Sequence, residues 1–238
     1  MGRGNGGTAA GASRRRRAEK GAPRGASRRE RHDVVAAYFS VGASLAVLAL
    51  NAQRFTLYAM HPRTEELLQH LDKQHERLRR AVEDVPRERR ETKPQPERWS
   101  VAEVVEHLSI VETRIGRVFA AKLTEARAAG LGREQDASPV VGTIDMDRVL
   151  DRTRRITAAE AALPPGRLDA DAAWEALERA RDALCNSLRD ADGLALGDVV
   201  HPHPVLGPIN LYQWIAFVGG HEARHAAQVM ELRDLLSS

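Results

Sequence analysis

The chain is poor in the residues that most other fold classes require. Its 238 residues include one cysteine, Cys185, which excludes an internal disulfide and any zinc site built from several thiolates. Aromatic side chains make up only 4%, and the prevalence of Ala, Leu, Val, Arg and Glu favours helices over a β-sandwich. No long hydrophobic run is present. The most apolar stretch, residues 34–50, has seventeen residues, the lower edge of what crosses a bilayer as a helix. Wholesale disorder is excluded by 42% hydrophobic residues, enough for a real core.

The sequence pI of about 9.3 suggests an anionic partner until the charge is located. Residues 1–33 hold ten Lys/Arg against three Asp/Glu, whereas residues 60–238 hold 25 against 30. The basic character therefore belongs to a Gly-, Ala- and Arg-rich leader with nothing to pack, read as disordered. No nucleic-acid partner is expected for the remainder. Residues 34–50 have three readings: a signal-anchor helix, a cleaved export signal, or part of a stretch outside the native protein, whose start would be Met60. The third is favoured because the segment is short and diluted by Ser, Gly and Tyr. The expected location is then cytoplasmic, with membrane anchoring through residues 34–50 as the alternative.

From Pro62 onward the apolar positions follow a helical period. Leu68, Leu71, His75, Leu78, Val82 and Val85 form one face of a first helix that ends before Pro86. A second helix opens at Ser100, where Glu103 completes a capping box and Trp99 staples onto Val104. Its seam is Val101, Val104, Leu108, Val111, Ile115 and Val118. The next forty residues are irregular, with a short helical piece expected over residues 146–162 and a stop at Pro164-Pro165-Gly166. A third helix presents Trp174, Leu177, Arg181, Leu184 and Leu188. The last begins at Asn210, with Gln213 three residues on, and presents Trp214, Val218, His221, His225, Val229, Leu232 and Leu236. No strand signal competes. The predicted fold is all-α, a four-helix bundle over residues 60–238 with a long connection between its second and third helices. Ahead of it come the disordered leader and a short hydrophobic helix within residues 34–59.

Two histidines on the seam of the last helix need an explanation, because a buried polar group without partners costs about 1–3 kcal/mol. A spacing of four places His221 and His225 about 40° apart and about 6 Å along the axis, so both imidazoles reach one point. They are either satisfied core histidines or metal ligands. His107 on the second helix offers a third nitrogen, and three ligands with an open position suit a catalytic ion. Imidazole suits Zn, Ni or Fe alike. The run His-Glu-Ala-Arg-His also matches the H-E-x-x-H pattern of metallopeptidases, but no third histidine follows His225 and Glu231 lies on another helical face. Five further residues are pocket or ligand-supporting candidates: His75, Arg181, Glu222, Arg224 and His203. Arg181 is expected to pack its stem with its head in solvent, and His203 to sit in an ordinary surface turn. Glu222 and Arg224 are expected in inter-helix ion pairs or contacts supporting the ligands.

The run Arg98-Trp99-Ser100-Val101-Ala102-Glu103-Val104-Val105-Glu106-His107-Leu108 resembles the second-helix signature of the DinB-like metalloenzymes. The stretch from His203-Pro204 through Leu206-Gly207-Pro208 and Gln213-Trp214 to His221-Glu222, Arg224-His225 and Gln228 resembles their last-helix signature. The resemblance implies a four-helix bundle binding one divalent metal through His107, His221 and His225. It also implies a metal-dependent transferase or hydrolase, since characterised relatives include thiol S-transferases and isomerases that use a low-molecular-weight thiol. The expected partners are that thiol and a small-molecule substrate, with a homodimer left open. The alternatives are a metal-binding bundle without turnover and, third, the metallopeptidase.

Overall fold

The structure is a computed structural model and describes residues 59–153 and 160–237; the leader and residues 34–50 lie outside the described residues. Helix α1 spans Pro62–Glu83, with Pro62 at its first position and His61 as its cap. Helix α2 spans Val101–Ala128 and opens with the capping box: the Glu103 N–H donates to Ser100 Oγ at 3.2 Å, and the Ser100 N–H to Glu103 Oε2 at 2.9 Å. A short α3, Met146–Leu150, precedes α4, Ala170–Asp190, and α5, Leu211–Ser237, closes the chain. A reciprocal pair starts α5 as well, Asn210 and Gln213 each donating a backbone N–H to the other's side chain at 3.0 Å. Among the described residues no helix is long and apolar enough to cross a membrane.

The four long helices bury the faces read from their periodicity. Helix α2 lies along α4 and α1 along α5, while α2 and α5 meet over a shorter stretch. The apolar core falls into two clusters. One joins Leu67, Leu71, Ile115, Phe119, Leu184, Leu188 and Ile215; the other joins Leu78, Val104, Leu108, Leu177, Val229 and Leu232. Between them each long helix contributes one buried polar side chain: His75, Glu112, Arg181 and Glu222. Glu222 accepts from Arg181 Nη1 at 3.3 Å and faces His75 Nδ1 at 2.7 Å. Arg181 Nη2 also donates to Asp72 at 3.1 Å, and His75 Nε2 faces Glu178 at 3.1 Å. The Arg181 head therefore does not reach solvent as its sequence position suggested. Buried carboxylates need its charge more than water does. Glu112 is the exception to satisfaction, since neither of its buried oxygens has a hydrogen-bond partner. Burial and the Glu222 charge push its carboxyl well above the usual carboxylate range.

Two expectations about the connections need correction. Of the helical piece expected over residues 146–162, the described residues form α3, a non-helical stretch at 151–153 and a 3-10 turn at Glu160–Ala162; residues 154–159 lie outside the described ones. The loop before the last helix is a β-hairpin, β1 at Val200–His203 and β2 at Gly207–Asn210, antiparallel with His203 opposite Gly207. Strands of four residues, each with a proline, leave too little alternation to read. Gly207 has φ +77°, a left-handed conformation that glycine adopts without strain. At the middle of α5, Gly219 and Gly220 let two neighbours approach. A Cβ on the first would collide with the His70 ring, and on the second with Met146 Sδ.

Candidate metal centre

His107 enters the site from α2, and His221 and His225 from successive turns of α5. One ring nitrogen of each lies within 4.8 Å of the other two. Their rings sit 4.5–5.3 Å apart between centroids. Nε2 of His225 is 3.1 Å from Nε2 of His221, so the i, i+4 spacing brings both imidazoles to one point as the helical geometry requires.

Two of the remaining ring nitrogens, those of His107 and His225, are tied down in the way that leaves these lone pairs available. His107 Nδ1 donates to the Ala162 carbonyl at 2.7 Å, and His225 Nδ1 donates to Gln228 Oε1 at 2.8 Å. In a neutral ring, a proton held on Nδ1 leaves Nε2 as the acceptor, the tautomer control common around metal-ligating histidines. The rings are neutral near pH 7. Burial lowers His107, and burial with the His107 charge brings His225 down to about 3. Burial, then His225 and His107, push His221 well below the usual histidine range. Uncharged imidazoles whose nitrogens converge form a donor set that fits a divalent ion, and the three can hold one.

The cluster opens on a cavity of about 1300 Å³ lined by α2, α3, the hairpin and α5. Its walls near the histidines are aromatic. Trp99 lies 4.9 Å from His107, and Phe217 stacks on His221 at 5.4 Å. His203, expected in a surface turn, is instead 7% exposed and packs on Phe217 and Trp214 at 4.3 and 4.7 Å. Its Nδ1 accepts the Val205 and Leu206 N–H groups, both at 3.1 Å, which holds the hairpin turn. The proton of the neutral ring is thereby left on Nε2, and burial lowers the ring to about 4.

The five other candidate residues divide between two places. His203 and Arg224 line the cavity. Arg224 Nη1 donates to the Val149 carbonyl at 3.2 Å and also to the Asp151 carbonyl, pinning the start of the connector beside the site. His75, Arg181 and Glu222 do not line it; they belong to the polar layer between the two apolar clusters. Glu222 makes the inter-helix ion pair expected of it. Cys185 is a buried member of the core, its thiol raised by burial. Sequence reasoning missed Glu112, although its spacing from Leu108 and Ile115 puts it on the buried face of α2. It also missed the contribution of the connector, whose Ala162 carbonyl orients His107.

No solved structure matches the chain. An uncharacterized protein of Bacillus subtilis (strain 168), YuaE, is 24% identical over 142 residues, covering 60% of this chain and 82% of that protein. Residues 70–229, which include all three histidines, match the family model of the DinB superfamily, and the chain belongs to that superfamily.

Proposed function

We propose that this chain is a metal-dependent enzyme of the transferase or hydrolase kind, with His107, His221 and His225 as the ligands of one divalent ion. The observation that carries the reading is the convergence of three neutral imidazoles, two of them oriented by hydrogen bonds, at the wall of a cavity large enough for a small molecule. A divalent ion held there supplies Lewis acidity, lowering the pKa of a thiol or water towards neutrality, so that no side-chain base is needed. By family resemblance the nucleophile is a low-molecular-weight thiol; Zn, Ni and Fe all suit three imidazoles.

The chain's own residues shape the rest. Trp99, Phe217 and Trp214 make an apolar wall that limits water beside the histidines. His203 offers that space an N–H donor from Nε2, and the two backbone bonds on Nδ1 keep the ring from turning over. The metallopeptidase alternative needs Glu222 as a general base in the cavity. Glu222 is fully buried elsewhere, bound to Arg181 and His75, which speaks against it.

Elemental analysis of protein purified without a histidine tag tests the reading. About one equivalent of a divalent metal is expected in the wild type, with loss in the His221→Ala/His225→Ala variant. Less than about a tenth of an equivalent in the wild type, or unchanged content in the variant, refutes the ligand assignment. A screen of thiol conjugation then separates an enzyme from a bundle that binds metal without turnover.

A further inference from the structure

The cavity carries a charge opposite in sign to the rest of the folded region. From residue 60 onward 25 Lys/Arg are outnumbered by 30 Asp/Glu. Yet the cavity is lined by five arginines, Arg98, Arg114, Arg148, Arg152 and Arg224, against two carboxylates, Glu97 and Glu231. One of those carboxylates is already engaged. Arg152 grips both oxygens of Glu231, at 2.7 and 2.6 Å, and with this hydrogen bonding holds its carboxyl below the usual range.

Arg224 also feels the charges of Asp151 and Glu231, and Arg98 acts on Glu231, so the cavity's positive excess lies in the remaining arginines. Arg114 donates to the Ala161 carbonyl at 2.8 Å. A neutral carbonyl fixes a guanidinium without cancelling its charge. The guanidiniums of Arg98 and Arg148 have no hydrogen bond or ion pair among the described residues. They come from two separate segments, the entry to α2 and helix α3. His203, with its uncharged Nε2–H, lines the same cavity. Cations gathered around a partly enclosed space repel one another and concentrate a ligand of the opposite sign. The planar fork of arginine matches carboxylate and phosphate oxygens two at a time.

We propose that the cavity takes a small substrate bearing carboxylate or phosphate groups, and that Arg98 and Arg148 recognise those oxyanions. The inference rests on the functional reading above only in placing the substrate in the same cavity; the arginines act whether or not an ion is bound.

The test uses the full chain and two thiols, 2-mercaptosuccinate, which carries two carboxylates, and uncharged 1-thioglycerol. Binding is measured by titration calorimetry at low ionic strength, with metal content determined on the same samples. The dicarboxylate is expected to bind about tenfold or more tightly than thioglycerol. That gap closes in the Arg98→Ala/Arg148→Ala variant and shrinks in about 0.5 M salt. Equal affinities in the wild type overturn the proposal, as does a gap that survives in the arginine variant or a failure of both thiols to bind. Succinate titrated into the His221→Ala/His225→Ala variant separates the two readings. Arginine-dependent binding of succinate there upholds the anion site without any ligand histidines. A wild type that holds no metal yet keeps the gap loses only the metal assignment.

Discussion

Replacing Arg181 with methionine removes a guanidinium on which the centre of the bundle depends. Arg181 is 5% exposed, its partner Glu222 0% and the neighbouring Glu112 1%. The stem of Arg181 is replaced by a side chain of similar shape, so little packing is lost and the electrostatic cost dominates. Breaking one side of a buried ion pair leaves an uncompensated charge and costs about 3–5 kcal/mol. The second contact of Arg181, to Asp72, adds little, since that carboxylate is largely in solvent. For a folded region of this size each kcal/mol moves the midpoint by roughly 2–4 °C, so Tm should fall by about 6–20 °C. Urea and thermal unfolding followed by circular dichroism give both numbers. The Arg181→Met/Glu222→Gln double variant should recover about half of the loss, because the buried charge left with His75 as its remaining partner is gone. A loss under about 1 kcal/mol in the single variant, or strict additivity in the double, would refute the account of the polar layer.

Glu112→Met should stabilise the protein by about 1–3 kcal/mol near neutral pH by removing a buried carboxyl that lacks a partner. Because its folded-state pKa is raised, wild-type stability declines as pH rises from the ordinary carboxylate range towards the raised value. The variant should lack that slope in urea unfolding between pH 4 and 8. His203→Ala should cost about 1–2 kcal/mol by orphaning two hairpin N–H groups, whereas His203→Asn, whose side-chain oxygen can accept them, should cost less. The sign for His203 is the reverse of that for Glu112. Its lowered pKa, about 4 against 6.5, means stability is lost as pH falls through that interval, and thermal melts of His203→Asn should lose this component. Excess chelator should lower the wild-type Tm by about 5–11 °C if the free ion stands near a hundred times its Kd. The same addition should leave the His221→Ala/His225→Ala variant unmoved.

The bundle was legible because amphipathic helices announce themselves locally. Leu71 and Leu78 on α1, or Leu177 and Leu184 on α4, recur at the helical period and are all fully buried. Ser100 with Glu103, and Asn210 with Gln213, formed the reciprocal caps that their spacing predicted. His75, Arg181 and His221 stood out as polar breaks in apolar stripes. What those breaks do was not legible, since the same pattern serves a cavity or a core. Glu112 was passed over because the stripe was read from its apolar members, although its spacing from Leu108 and Ile115 places it on the same helical face. The hairpin escaped because its strands draw their stability from each other and from α5, not from any pattern of their own.

The order of residues along the chain was enough to determine four helices, their boundaries and the pairing of His221 with His225, because each depends on neighbours within about one or two helical turns. That His107 joins them was implied by the family resemblance, but only tertiary structure gave the distances, the Ala162 carbonyl that orients it, and the meeting of Arg98 and Arg148 on one cavity. Those contacts join segments separated by tens of residues, and only the packing of α2, α5 and the connector sets the distances between them.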